Sequence, residues 1–71
     1  MSQPTQRHPA IESILQYFSF DHLPDKLKAI SKPFSELAYV MADGPQNAET
    51  TAGLRKLLEA KDCAVRAHLA K

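Results

Sequence analysis

The chain has 71 residues, nine of them basic and eight acidic, for a formal net charge of +1. That length allows one small domain, and that balance gives no electrostatic field for gripping duplex DNA or an anionic membrane surface. No apolar run approaches the roughly eighteen residues of a membrane span, and a single cysteine, Cys63, with no charged-then-apolar leader, makes a reducing cytoplasm the expected compartment.

Residues 1–9, MSQPTQRHP, are polar with two prolines and read as a flexible tail; residues 10–71 form the one domain. In residues 10–18, Ile11, Ile14, Leu15 and Phe18 recur at helical steps, which predicts a short helix or arm that docks on the main body. A helix this short is not stable alone. The run SFDHLP at 19–24 breaks the pattern, with Pro24 suited to the first turn of the next helix.

Residues 25–42 place Leu27, Ile30, Phe34, Leu37 and Met41 on a narrow apolar stripe that Ala38 widens. Pro33 lies inside this helix, so a kink or short break is expected around residues 31–33, with Ser31 capping the restart. Gly44 and Pro45 then stop it, the glycine suiting a left-handed C-cap.

Residues 47–71 read as one long helix with Asn47 as N-cap and Glu49 at its positive end. Leu54, Leu57, Leu58, Ala64, Val65 and Leu69 share its apolar face; Arg55, Glu59, Asp62 and Arg66 share another. Gly53 costs about 1 kcal/mol relative to alanine there, which close approach of another backbone would explain. The expected fold is all-α: an antiparallel helical hairpin with a short N-terminal helix or arm. A core this small, without disulfide or metal, predicts oligomerisation.

Taken together, FDHLP at 20–24, SKPFSELA at 31–38 and NAETTAGLRKLLEAKDCAVRA at 47–67 resemble the hairpin domain shared by bacteriophage anti-CBASS and anti-Thoeris sponge proteins. The resemblance covers about residues 18–71 and rests on the order and spacing of these segments. It implies a homo-oligomer, often a hexamer, in the cytoplasm of an infected bacterium. There it would sequester cyclic dinucleotides, cyclic trinucleotides or glyco-cyclic ADP-ribose without cleaving them, and without a cofactor. It also implies that Lys56, beside Arg55, contacts the ligand, and that Phe20, or less directly Phe18, stacks on a base. The anti-Thoeris branch ends in an Ala-Asn-Ala-x-Ile-Ala-Arg pattern where this chain has AVRAHLAK, so a second anion contact would fall to Arg66 or Lys71.

The residue types suit such a ligand in their own right. A ring of phosphodiesters and bases needs a few cations and aromatic plates. Arg55, Lys56, Lys61 and Arg66 supply cations along one helix; Tyr17, Phe18, Phe20 and His22 supply plates. The same residues also have plainer roles: Arg55 with Glu59, and Asp62 with Arg66, are spaced as exposed ion pairs. Lys61 continues the leucine seam as a snorkelling lysine would, and the phenylalanines suit a core or interface. Thr50 and Thr51 read as first-turn capping residues rather than phosphate donors. Enzyme chemistry is not expected. His8, His22 and His68 are isolated, and Cys63 and His68, five residues apart, lie about 140 degrees apart around a helix. No Gly-rich phosphate loop or acid–base carboxylate pair is present. A second reading is a helical oligomerisation or adaptor module that binds a protein through its apolar seam.

Overall fold

The computed structural model describes residues 7–70. Helix α1 spans Pro9–Leu15 and runs into a 3-10 turn over Gln16–Phe18; α2 spans Asp25–Ala42 and α3 spans Ala48–Ala70. The described residues contain no strand, and none of their helices is long and apolar enough to cross a membrane. The all-helical class expected from the hydrophobic periodicity is therefore the observed one.

Contacts between α2 and α3 run in opposite chain directions. Met41 lies beside Gly53, Leu37 beside Leu57, and Ser31 near Lys61 and Val65, so the pair is an antiparallel hairpin. At the turn, the amides of Asp43 and Gly44 donate to the carbonyls of Tyr39 (3.0 Å) and Met41 (3.1 Å). Gln46 Nε2 donates to the carbonyls of Ala42 (2.6 Å) and Gly44 (2.8 Å), so a side chain does the capping expected of a left-handed glycine. The C-cap residue is Asp43, in the right-handed region at φ −86° and ψ 0°, and Gly44 has no left-handed φ. Asn47 is the N-cap of α3: its Oδ1 accepts from the Thr50 amide at 3.0 Å.

Helix α1 fills the groove of this hairpin. Ile11, Ile14, Leu15 and Phe18 are all buried, and they pack with Ala38, Ala42 and Leu54 into one core, flanked by Phe34, Met41, Leu57 and Leu58. The face of α2 that closes over this core is the row Ser31, Ser35, Ala38 and Ala42. It is one position round from the expected stripe of large residues. Small side chains let α1 and α3 approach α2 closely, while α1 contributes the bulk. Leu27, Ile30, Phe34 and Met41 are only half-buried, and Leu37 is exposed.

Three further expectations are corrected. Of the kink or short break expected at residues 31–33, the break is absent: helix α2 is continuous through Pro33. Pro33 and Ala29 both face solvent, so the Ala29 carbonyl that loses its amide partner can be hydrated. Ser31 is consequently a buried helix residue and not a cap. Gly53 is approached by a side chain rather than by a backbone: a Cβ there would lie 2.9 Å from Met41 Cε.

Residues 7–9, which the sequence reading assigns to the tail, are tied to the domain. Pro9 opens α1, and His8 caps it, its Nδ1 accepting from the Ala10 amide at 3.1 Å. The His8 amide donates to Gln46 Oε1 at 2.8 Å. Arg7 joins the start of α1 to the end of α2 through Glu12 (3.3 Å) and Asp43 (2.9 Å), with its guanidinium 5.2 Å from the centre of the Tyr39 ring. Residues 1–6 and Lys71, which the sequence reading assigns to the tail and to the end of α3, lie outside the described residues.

Candidate functional site

The hairpin turn and the start of α1 are bound together at one pole of the molecule. At the opposite pole the 3-10 turn, the loop at 19–24, the first half of α2 and the last half of α3 enclose an open cleft of about 320 Å³. Its walls are Gln16, Tyr17, Ser19, His22 and Leu23 on one side, Ser31 at the base, and Lys61, Asp62, Val65 and Arg66 on the other. The sequence separates His22 from Lys61 by most of the domain; the antiparallel hairpin brings them together.

On α3, positions 61, 62, 65 and 66 are neighbours because residues three and four apart share a helix face. Lys61 lies along the helix surface with its side chain only 14% exposed, and its ammonium meets Asp62 Oδ1 at 3.1 Å. That burial fits the snorkelling form of lysine, stem covered and head at the cleft. Arg66 is exposed and donates from Nη2 to Cys63 Sγ at 3.4 Å. Among the described residues, no ion pair joins Asp62 to Arg66 or Arg55 to Glu59, so the spacing for those pairs is present but unused. Two cations against one carboxylate leave the cleft net positive although the whole chain is close to neutral.

Ser31 adds a feature that spacing cannot reveal. It is 2% exposed, and its Oγ has no hydrogen-bond partner. A buried hydroxyl left unpaired costs about 1–3 kcal/mol, and helical serines ordinarily relieve this by bonding the carbonyl four residues back. Here the hydroxyl makes no such bond among the described residues, and Ser31 is one of the residues that line the cleft.

Three of the six candidate ligand residues, His22, Lys61 and Arg66, therefore share one cleft. The other three do not join it within a single chain. Phe20 is half-buried in the loop, where its carbonyl accepts from the Leu23 amide at 3.1 Å. Arg55 and Lys56 are exposed on earlier turns of α3; Lys56 precedes Lys61 by about 7.5 Å along the axis and lies about 140 degrees around it. Phe18, at 1% exposure, is a core residue and unavailable for stacking. Tyr17, 59% exposed on the cleft wall, is the better-placed plate. Thr51 Oγ1 donates back to the Asn47 carbonyl at 3.3 Å, as a first-turn residue does.

Ser31, Asp62 and Gln16 were not candidates from sequence. Asp62 reads there as a partner of Arg66 and Ser31 as a cap before Pro33, so the only available signal was the placement of Ser31 on the α2 face that the hairpin closes. Comparisons with protein-family models, with curated proteins and with solved structures found no match to this chain.

Proposed function

We propose that this chain is a phage immune-evasion sponge that binds and sequesters a cyclic oligonucleotide signal, or glyco-cyclic ADP-ribose, of bacterial CBASS or Thoeris defence without cleaving it. The observation that carries the reading is the convergence of His22, Lys61 and Arg66 in one cleft with Tyr17 on its wall. Cations suit the phosphodiesters, and flat side chains suit the bases. The cleft volume of about 320 Å³ lies at the low end for small-molecule sites, which suits part of such a ring. A second copy of the chain would cover the rest. In that assembly, which the family resemblance makes a hexamer in the host cytoplasm, Phe20, Arg55 and Lys56 of one protomer complete the cleft of another.

Calorimetry with cyclic dinucleotides, cyclic trinucleotides and glyco-cyclic ADP-ribose tests the proposal. At least one is expected to bind with Kd below about 10 micromolar, roughly −7 kcal/mol, and to be recovered chemically intact. Lys61→Glu is expected to abolish that binding, and Lys56→Glu to weaken it with the oligomer preserved. Absence of binding across the panel would end the sponge reading.

The second reading, an adaptor module that docks on a protein, draws on a different observation. Leu37, Val40 and Leu69 are 48%, 70% and 61% exposed, and Leu37 borders a small apolar hollow with Pro33, Phe34 and Leu57. Such a surface suits a partner helix as well as a second copy.

A further inference from the structure

We propose that Ser31, Lys61 and Asp62 form a phosphoryl subsite that is occupied internally until ligand arrives. An incoming phosphodiester oxygen displaces the Asp62 carboxylate from the Lys61 ammonium and accepts a hydrogen bond from Ser31 Oγ. This inference rests on the cleft being the ligand site, and it adds to that reading which atoms meet the phosphate and what they must give up.

The unpaired hydroxyl is the first support. Native proteins leave few buried polar side chains without partners, and each exception calls for a physical reason. Ser31 Oγ is buried and unpaired, and Ser31 lines a cleft whose wall carries a lysine. A ligand acceptor would complete it.

The second support is the form of the Lys61–Asp62 pair. Adjacent residues on a helix do not face each other, so these two side chains must turn along the surface to meet at 3.1 Å. The Asp62 side chain is 46% exposed, and on release it is readily hydrated. A phosphodiester carries one negative charge, as the carboxylate does, so Lys61 keeps one counter-charge throughout the exchange. Arg66 also borders the cleft, and among the described residues its guanidinium makes only a weak contact to Cys63 Sγ, so it can turn to the same phosphate.

The exchange predicts opposite effects for two nearly isosteric substitutions. Ser31→Ala removes the donor and is expected to weaken binding of the tightest cyclic nucleotide about tenfold, the scale of one hydrogen bond to a charged group. Asp62→Asn removes the internal competitor and is expected to tighten it by about twofold to fivefold, the range for a modest ion pair. Both would be measured by calorimetry, with circular dichroism to confirm that the helices are retained. If the unaltered chain binds the nucleotide and both variants bind it equally well, the subsite is wrong while the sponge reading stands. Should no cyclic nucleotide bind, AMP serves as a single-phosphate probe, followed by NMR. Shifts at Ser31 and Lys61, the Lys61 shift being lost in Ser31→Ala, would support the subsite without the sponge; no shifts there would overturn it.

Discussion

Gly53 shows how one residue can carry two opposing terms. It sits in the second turn of α3, where alanine would gain about 1 kcal/mol in helix propensity. The added methyl would come within 2.9 Å of Met41 Cε, the far end of a flexible side chain. Since Met41 can give way through its rotatable bonds, Gly53→Ala is expected to stabilise the fold by about 0.5 kcal/mol, a rise in Tm of roughly 2–4 °C. In a Met41→Ala background the same substitution should recover nearly the full ~1 kcal/mol. A thermal-melt double-mutant cycle measures both, and additive effects would show that the contact is not felt. This is the scale at which the sequence was least informative. Hydrophobic periodicity registers large apolar side chains and is silent about Ser31, whose importance comes from being small, buried and unpaired. Asp62 was legible as a partner of Arg66 four residues on, yet its carboxylate turns along the helix surface to meet Lys61.

At the scale of elements, the clasp at Arg7 holds a helix too short to stand alone. Helix α1 has only seven residues, and the Arg7 ion pairs link its first turn to the end of α2. Glu12 and Asp43 are well exposed, so Arg7→Ala is expected to cost only about 1 kcal/mol, or roughly 4–8 °C in Tm. Amide exchange should quicken in α1 more than in α3. The hydrogen bond to Asp43 raises the Arg7 pKa, burial opposes it less strongly, and the bond to Glu12 adds a smaller lift of its own. A cationic group with a raised folded-state pKa contributes fully at any pH below its unfolded value and loses that contribution only as pH rises through the folded one. On the arginine side, then, the clasp does not titrate near neutrality, and the Tm gap between the two proteins should stay constant from pH 6 to pH 9. The helices themselves were legible. The LPD and ADGPQ punctuation gave both ends of α2, and the capping asparagine gave the start of α3. The clasp was not, since its partners lie 36 residues apart and neither belongs to a periodic pattern.

For the whole molecule, the question is what covers the apolar surface that the core leaves out. The α2 face that closes the core is made of serine and alanine, so the larger side chains expected to form the seam are partly displaced to its flank. Pro33, Leu37 and Val40 follow one another at helical steps on exposed α2 surface, beside the hollow that Phe34 and Leu57 complete. On α3, residues 66–70 are all exposed, Leu69 included. In the proposed assembly these surfaces meet another copy, and a cleft that holds part of a cyclic ligand is completed by that copy's exposed cations. Leu37→Glu combined with Val40→Glu places like charges on the shared surface without entering the core. Sedimentation velocity is expected to show the oligomer collapsing to monomer, while circular dichroism retains the helical signal. If the ligand site is shared, affinity for the cyclic nucleotide should fall at least tenfold in the same variant, as expected when half of a set of phosphate contacts is removed. If the variant becomes monomeric but binds at full strength, the site belongs to a single chain. If it remains an oligomer, the contact between copies lies elsewhere, and the stripe of Leu37 and Val40 is better read as the docking surface of the adaptor alternative.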